Sequence, residues 1–334
     1  MEKLQPLLQQ QDLSFDDAKS LFDDIMTGQL SDIELTAALV ALKLKTETAS
    51  EIAGAAQAMR DHATPFDKRG LLAADSCGTG GDGTNTINVS TTAAIVAAAC
   101  GINMVKHGNR SVSSKSGSAD LLKALGINID MTPALAEKCL AETGFTFLFA
   151  PHYHAGVKHA MPVRTQLKTR TIFNILGPLA NPAKPEVQLL GVYDPALVLP
   201  MAETLKRLGT KRAMVVHGSG TDEIALHGET LVAEVKQGEV TQYTITPSDF
   251  GLENYSLESI AGDTPEYNAK ASLAILNGEG EAAHNAAIIA NVAALLVLTD
   301  KAADFKTASQ LVREVLASKK AMTTLASIVE VSNG

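Results

Sequence analysis

The first 66 residues have the spacing of amphipathic helices. Leu35, Leu39 and Leu42 recur at the i, i+4 and i+7 positions that form one face of a helix. Capping-box patterns, in which a serine or threonine is followed three residues later by a glutamate, occur at residues 31–34 and 48–51. Since no strand candidate interrupts this segment, we predict a small all-helical domain over residues 1–66.

From residue 70 onward, short apolar runs end in glycine-rich turns and are followed by alanine-rich stretches. Strand and helix candidates that alternate in this way indicate βα units and a mostly parallel sheet flanked by helices. The strand candidates are Leu71–Asp75, Ile102–Lys106, Phe145–Ala150, Val187–Tyr193 and Arg212–His217. The helix candidates between the first of them are Ser90–Cys100, Ala119–Leu125 and Pro133–Thr143.

The pattern changes twice in the rest of this α/β domain, which we predict over residues 70–334. Residues 226–246 alternate polar and apolar positions with period two, which predicts antiparallel strands at the sheet edge. From about Glu266 the spacing is again helical. The expected fold class is therefore α/β with a small all-helical domain.

Composition excludes several classes of protein. A length of 334 residues suggests about two domains, and 46% hydrophobic and 19% charged residues are ordinary for a globular chain. Aromatic residues make up only 4% and tryptophan is absent, which disfavours a stacking platform for single-stranded nucleic acid. A net charge of −9 also disfavours a general nucleic-acid binder.

The chain has the features of a cytoplasmic protein. Its amino terminus lacks the long apolar run of a signal peptide, and its apolar stretches, such as Ile288–Leu298, are too short to span a membrane. Three cysteines without CxxC spacing suit a reducing compartment and favour neither a disulfide framework nor a zinc site. We therefore expect no membrane partner and no nucleic-acid partner.

The first candidate site is the glycine-rich segment from Gly78 to Gly83, between a predicted strand and a predicted helix. Four glycines in six positions let backbone N–H groups converge, and the helix start adds its dipole, so we expect an anion site. The segment matches G-x-G-x-x-G, but the next strand ends in Lys106, where a nicotinamide-binding protein carries an acidic residue. A Walker loop also fails, because Thr84 and Asn85 follow Gly83. The alternative is a tight βα turn without a ligand.

The second candidate site is the polar segment from Lys106 to Ser118. It contains five serines, three full cations, two glycines and one apolar residue, so it has no hydrophobic face to bury. Loops that follow neighbouring parallel strands emerge at the same edge of a sheet. Two adjacent anion sites suit a ligand with two separated phosphate groups, and the alternative is a solvated hinge loop.

Two further features carry candidate chemistry. Asp222 and Glu223 follow a predicted strand and supply the hard oxygen ligands that Mg²⁺ uses together with substrate phosphates, and the Ser90 hydroxyl could complete such a site. Arg164 could bind a carboxylate through its two-pronged guanidinium, although a surface arginine is the simpler interpretation. Residues 152–159 contain three histidines, but no cysteine or glutamate lies at a spacing that would support zinc.

Taken together, these motifs resemble the anthranilate phosphoribosyltransferase family. The matching segments are GTGGDG at 78–83, NVST at 88–91, KHGNRSVSSKSGSAD at 106–120, RTIFNILGPLANP at 170–182, and Asp222-Glu223. They occur in the order of the family over nearly the whole chain, with the helical segment in its expected place. The sequence departs from the family where His154 is followed by Ala-Gly-Val and not Pro-Ala-Met, and where Thr221 replaces an apolar residue.

The resemblance implies a reaction and an architecture. The family joins 5-phosphoribosyl 1-diphosphate (PRPP) to anthranilate, releasing pyrophosphate, in tryptophan biosynthesis. The implied fold is a helical domain, completed by helices around residues 165–182, plus an α/β domain shared with pyrimidine nucleoside phosphorylases. The implied cofactor is Mg²⁺, two ions per active site. The implied partners are a second copy of the chain, in a homodimer through the helical domain, and a glutamine amidotransferase/anthranilate synthase component.

The resemblance also assigns residues. The Mg²⁺ ligands would be Ser90, Asp222 and Glu223, and anthranilate would contact Gly78, Asn109 and Arg164. His107 and His154 are candidate proton acceptors. The PRPP contacts would be Gly78, Gly81, Asp82, Thr86, Asn88, Val89, Ser90, Thr91, Lys106, His107, Gly108, Asn109, Arg110, Ser111, Val112, Ser113, Ser114 and Ser118.

Three other functions remain alternatives at this point. A nucleoside phosphorylase of the same fold binds inorganic phosphate and needs no acidic pair such as Asp222-Glu223. An NADP-dependent oxidoreductase could read the 2′-phosphate with Lys106 and Arg110, but it leaves the serines and the acidic pair unused. A non-catalytic phosphate-binding module does not explain two anion sites together with Arg164.

Overall fold

The computed structural model describes residues 2–111 and 115–334. Its α-helices are α1 (Gln5–Leu8), α2 (Phe15–Met26), α3 (Asp32–Lys45), α4 (Ala49–Asp61), α5 (Val89–Ala99), α6 (Ser118–Ala124), α7 (Pro133–Thr143), α8 (Ala150–Tyr153), α9 (Met161–Leu167), α10 (Phe173–Leu176), α11 (Val198–Arg207), α12 (Pro265–Leu276), α13 (Ala282–Leu298), α14 (Phe305–Ala317) and α15 (Lys320–Asn333). Its strands are β1 (Ala73–Gly78), β2 (Asn103–Gly108), β3 (Phe145–Phe149), β4 (Val187–Gly191), β5 (Arg212–Gly218), β6 (Thr230–Lys236) and β7 (Glu239–Ile245). Short 3₁₀ helices lie at Glu2–Leu4, Ala155–His159, Gly177–Leu179, Pro195–Leu197, Pro247–Phe250 and Leu257–Ile260.

Helices α1–α4 form the predicted helical domain. Both predicted capping boxes are present: Glu34 accepts a hydrogen bond from the Ser31 N–H at 3.0 Å, and Glu51 accepts one from the Thr48 N–H at 2.8 Å. Helices α2 and α4 cross so closely that a Cβ on Gly54 would lie 2.4 Å from the α2 backbone. Helices α9 and α10 pack into the same hydrophobic core, so the chain returns to this domain after β3.

The strands form one sheet in the order β3-β2-β1-β4-β5-β6-β7. Neighbours from β3 to β5 pair in parallel, and β6 and β7 extend one edge as antiparallel strands. The predicted mostly parallel sheet with an antiparallel edge is confirmed, and each predicted parallel strand overlaps an observed one. Helix α11, between β4 and β5, has no counterpart among the predicted helices.

Both faces of the sheet are covered, because successive side chains of a strand point to opposite faces. Leu189 and Met214 face a core formed with α5, α7 and the carboxyl-terminal helices. Leu190 and Val215 face a second core, which the sheet shares with α2–α4 and α9–α11. The helical domain thus packs on one face of the sheet, with α11 against α4. None of the described helices is both long and apolar enough to cross a membrane.

Strands β1 and β2 separate towards their carboxyl ends. Their pairing stops after Ala74 and Met104, whereas the pairing of β1 with β4 continues to the last residue of each strand. Side chains bridge the gap: Lys106 Nζ donates to the Ser76 carbonyl at 2.7 Å, and Asn181 Nδ2 donates to the Val105 carbonyl at 2.7 Å. The sheet is therefore open between β1 and β2 where the two candidate loops begin.

The position of Lys106 and His107 corrects one sequence prediction. Lys106 was expected as the last residue of the strand and His107 in the polar loop after it, but both lie inside β2 and are buried, with Lys106 only 1% exposed. The run of polar residues that begins at Lys106 and continues into the loop hid the end of the strand. The loop itself begins at Asn109.

Candidate active site

The first glycine-rich loop adopts backbone conformations that side chains disfavour. Gly80, Gly81 and Gly83 have φ of +67°, +79° and +79°, in the left-handed region where glycine carries no steric cost. The loop runs from the end of β1 to the start of α5. In the described chain the side chain of Asn88 does not cap α5; in the first turn of that helix the Val89 N–H donates to the Ile87 carbonyl at 2.7 Å, and the Ser90 N–H is bound by an acidic side chain described next.

The acidic pair folds back from the end of β5 onto this loop. Asp222 Oδ2 accepts a hydrogen bond from the Gly80 N–H at 2.7 Å, and Glu223 Oε1 accepts one from the Ser90 N–H at 3.3 Å. The approach requires a glycine in β1, because a Cβ on Gly78 would lie 2.1 Å from Asp222 Oδ2. The structure thus brings together the three residues expected to bind metal.

The carboxylates of this pair lack a cationic partner. Neither forms an ion pair with a lysine, arginine or histidine among the described residues, and both are half-buried. Burial, and next the Asp82 carboxylate, raises the pKa of Asp222 to about 7. Burial, and next Asp222, raises the pKa of Glu223 well above its usual value, although Lys106 acts in the opposite direction. Carboxylates held in this way fit a divalent cation, which would relieve their repulsion.

The protein alone does not complete a metal site. No three His, Cys, Asp or Glu side chains of the described residues are grouped closely enough to hold an ion. A hard cation held by two carboxylates and a hydroxyl takes its other oxygens from water or from phosphate. The arrangement therefore suits an ion that arrives with, or is shared with, a phosphorylated ligand.

The second loop is tied to α5 and to α12 by amides. Asn88 Nδ2 donates to the Ser116 carbonyl at 2.9 Å, and Asn268 Nδ2 donates to Asn88 Oδ1 at 2.9 Å. Ser118 Oγ, in the first turn of α6, donates to the Asn109 carbonyl at 3.2 Å. The two loops therefore lie side by side at the carboxyl edge of the sheet, as the sequence predicted.

The other expected PRPP contacts fall into four groups. The side chains of Val89 and Thr91 are buried, which leaves their backbone to face a ligand. Thr86 forms a backbone bridge with Ala261, and Arg110 lies 5.9 Å from the centre of the Phe149 ring. Gly108 is the last residue of β2, followed by Asn109, and Ser111 lies two residues beyond Asn109, where its N–H donates to Asp120 Oδ2 at 3.1 Å. Val112, Ser113 and Ser114 lie outside the described residues.

The two candidate proton acceptors lie next to each other, His107 within β2 and His154 directly after α8. The rings of His107 and His154 are 5.0 Å apart and both residues are buried. His107 Nδ1 lies 3.3 Å from the Gly177 carbonyl, and the Nε2 atom of each ring is buried with no hydrogen-bond partner among the described residues. Burial, and next His154, lowers the pKa of His107 to about 3, and burial lowers the pKa of His154 to about 4. Both rings are therefore neutral at pH 7 and can accept a hydrogen bond.

Arg164 lies in α9, on the helical-domain side. Its guanidinium is 4.9 Å from the centre of the Phe173 ring, a cation–π distance, and burial lowers the pKa of Arg164. None of the described carboxylates forms an ion pair with it. A half-buried arginine of this kind can receive a carboxylate ligand.

Comparison with known proteins assigns the family. Residues 2–63 match the model "Glycosyl transferase family, helical bundle domain", and residues 71–322 match "Glycosyl transferase family, a/b domain". The anthranilate phosphoribosyltransferase of Pseudoalteromonas translucida is 67% identical over 99% of this chain and 93% of its own length. This chain is an anthranilate phosphoribosyltransferase family member.

Solved structures of anthranilate phosphoribosyltransferases share the fold. The enzyme from Thermus thermophilus is 40% identical, with a TM-score of 0.95 over 100% of both chains. The enzyme from Saccharomyces cerevisiae, solved in complex with PRPP and Mg, is 29% identical, with a TM-score of 0.88 over 96% of this chain and 94% of that one.

Sequence reasoning missed three polar residues at this anthranilate phosphoribosyltransferase site. Asn268 anchors Asn88, Asn181 bridges the gap between β1 and β2, and Arg170 donates to the Gly81 carbonyl. Arg170 and Asn181 lie within the family motif at 170–182, which was the available signal. Asn268 lies in a helix with no motif, so nothing in the sequence indicated its contact.

Proposed function

We propose that this chain transfers the 5-phosphoribosyl group of PRPP to the amine of anthranilate and releases pyrophosphate, in tryptophan biosynthesis. The observation that carries the proposal is the position of the Asp222 and Glu223 carboxylates at the glycine-rich loop, where they accept from the Gly80 and Ser90 N–H groups and have no cationic partner among the described residues. A nucleoside phosphorylase, which binds inorganic phosphate, has no need of this pair. The complex of the yeast relative with PRPP and Mg supports the same substrate here.

PRPP binding is assigned to the two loops at the carboxyl edge of the sheet. The expected contacts in the first loop and helix start are Gly78, Gly81, Asp82, Thr86 and residues 88–91. The others are residues 106–108 at the end of β2, residues 109–114 in the second loop, and Ser118 at the start of α6. The backbone N–H groups of the left-handed glycines Gly81 and Gly83 would bind phosphate oxygens. Gly78, Asn109 and Arg164 would contact anthranilate, with Arg164 binding its carboxylate.

Ser90, Asp222 and Glu223 would hold Mg²⁺, two ions per site in our proposal. When bound, Mg²⁺ supplies charge neutralisation for the phosphate oxygens and the departing pyrophosphate. The carboxylates fit this role because they are half-buried and form no ion pair among the described residues.

The residues of the chain contribute mainly by positioning. Holding the aniline nitrogen against the ribose C1 lowers the activation free energy by about 7–11 kcal/mol in favourable cases. The amine proton becomes acidic only after attack, so a weak acceptor is sufficient. His107 and His154 are suited to that role, because each is neutral and has a buried Nε2 without a partner among the described residues.

The division into domains, the oligomer and the compartment are parts of the same proposal. We assign residues 1–66, with helices around 165–182, to the helical domain and residues 70–334 to the PRPP-binding domain.

Ile33 and Leu44 of the helical domain are 82% and 78% exposed, which supports a homodimer through that domain. A glutamine amidotransferase component is a further proposed partner. The free cysteines Cys77, Cys100 and Cys139 support a cytoplasmic enzyme.

A fluorescence assay tests this function. We expect anthranilate fluorescence to fall when PRPP and Mg²⁺ are added to the purified protein, and to remain constant without either of them. Nucleoside plus inorganic phosphate serves as the control for phosphorylase activity. A constant anthranilate signal together with phosphorolysis of a nucleoside would reject the proposal.

A further inference from the structure

The segment that follows α9 belongs structurally to the helical domain. The Phe173 ring packs 5.7 Å from the ring of Phe22 in α2, and Ile172 is buried in the same core. Lys43 Nζ of α3 donates a hydrogen bond to Thr169 Oγ1. Residues 169–173 are therefore fixed to α2 and α3.

Arg170 projects from this segment onto the first glycine-rich loop of the α/β domain. Its Nη2 donates a hydrogen bond to the Gly81 carbonyl, and its guanidinium carbon lies 4.0 Å from the centre of the Tyr193 ring. Tyr193 is itself tied to the start of the loop, because its N–H donates to Thr79 Oγ1 at 3.1 Å. One exposed side chain thus contacts the middle of the loop and the residue that anchors its beginning.

The loop needs such support. Its three glycines in the left-handed region have large conformational freedom when unbound, so ordering the loop on binding is costly. A planar guanidinium can donate to a carbonyl and stack on an aromatic ring at the same time, which a lysine ammonium does less well. Because the Gly81 carbonyl accepts from Arg170, the peptide plane between Gly81 and Asp82 is held in one orientation.

We propose that Arg170 is a positioning residue that couples the helical domain to the first glycine-rich loop and holds the loop in its PRPP-binding conformation. The proposal rests on the function proposed above. Arg170 acts through Gly81 and Tyr193, so its loss affects PRPP binding more than anthranilate binding or the chemical step.

Steady-state kinetics test whether the loss of Arg170 affects PRPP binding more than anthranilate binding or the chemical step. We expect Arg170→Ala to raise the PRPP KM about tenfold, the size of a lost hydrogen bond and cation–π contact, with kcat and anthranilate KM within about twofold. Arg170→Lys should recover only part of the loss. Tyr193→Phe, which keeps the ring, should behave as the wild type, and Tyr193→Leu should show part of the Arg170→Ala defect.

Arg313→Ala is the matched control. Arg313 is also exposed and also donates to a glycine carbonyl, that of Gly251, but it lies in α14, outside the proposed site. An unchanged PRPP KM in Arg170→Ala, or an equal rise in the PRPP KM and the anthranilate KM, would overturn the inference.

Amide hydrogen exchange without substrates separates this inference from the proposed function. We expect faster exchange at residues 79–85 in Arg170→Ala than in the wild type or Arg313→Ala. This result does not depend on catalysis, so it tests the coupling even if the wild type fails to transfer phosphoribose. Equal exchange in all three proteins would overturn the inference.

Discussion

At the scale of single residues, the central feature is a pair of carboxylates that lack cationic partners among the described residues. Glycines at the ends of β1 and β4 let Asp222 lie against these two strands. A Cβ on Gly191 would be 1.6 Å from the Asp222 carbonyl oxygen. The pair is thus placed where a cation and phosphate oxygens can join it.

Asp222→Asn should weaken Mg²⁺ binding, because the amide keeps the shape of the side chain but loses its charge. We expect the Mg²⁺ concentration for half-maximal activity to rise about tenfold or more. The measurement is a Mg²⁺ titration of the initial rate, with Asp300→Asn, an exposed residue at 81% side-chain exposure, as the control. An unchanged titration would remove Asp222 from the metal site.

Arg164→Ala should act on the other substrate. Loss of a charge-assisted hydrogen bond to the anthranilate carboxylate should raise the anthranilate KM about 10- to 100-fold, with the PRPP KM within about twofold. Arg69→Ala, which removes a well-exposed arginine, is the control. Equal effects on the two KM values would contradict the assigned role.

The sequence predicted the residue types of the site better than their surroundings. Asp222 and Glu223 could be identified because adjacent carboxylates after a strand are a local pattern. The burial of Lys106 could not be predicted, because a lysine that bridges two separated strands has the same appearance in the sequence as a cation in an exposed loop. Asn268 was missed because its partner Asn88 is 180 positions away.

At the scale of elements, the gap between β1 and β2 gives the loops room. Asn181 is buried and donates both to the Val105 carbonyl and to Asp75 Oδ2, at 2.7 and 2.9 Å. Asp75 is fully buried, and its burial raises the pKa of Asp75 to about 6. Asn181 therefore replaces the missing backbone ladder at the point of separation.

Asn181→Ala should destabilise the protein, because two buried acceptors lose their donor. We expect a loss of about 2–3 kcal/mol in the free energy of unfolding. Urea unfolding followed by circular dichroism measures it, and Asn254→Ala, at an exposed position, is the control. A loss as small as that of the control would show that the amide does not hold the strands.

Helices and strands could be predicted from the sequence where neighbouring residues form a short-range pattern. The capping boxes and the period-two alternation at 226–246 correspond to α3, α4, β6 and β7. Helices of four residues, such as α8 and α10, span barely one turn, so no repeat of apolar positions could identify them. The order of the strands follows from long-range packing, which the sequence indicated only through the family resemblance.

At the scale of the whole molecule, the helical domain and the α/β domain share a core. His154 lies at this junction, where burial lowers its pKa to about 4, against an unfolded value near 6.5. As pH falls below about 6.5 the unfolded chain binds a proton that the folded protein does not bind, so stability is lost down to about pH 4.

His154→Gln should therefore reduce the acid sensitivity of folding. From pH 7.5 to pH 5 the contribution of His154 falls by about 2 kcal/mol, so the wild type should lose about that much more stability than the variant. Urea unfolding at the two pH values gives the change in the free energy of unfolding for each protein, and the two changes are then compared. A parallel loss in the two proteins would mean that His154 titrates normally in the folded state.

The central claim is that this chain makes N-(5-phosphoribosyl)anthranilate. Mass spectrometry of a reaction with PRPP, anthranilate and Mg²⁺ tests it most directly, with pyrophosphate quantified in the same samples. We expect one phosphoribosylated anthranilate and one pyrophosphate for each anthranilate consumed, and neither product with Asp222→Asn at low Mg²⁺. Pyrophosphate release without a phosphoribosylated anthranilate, or no consumption of either substrate by the wild type, would contradict it.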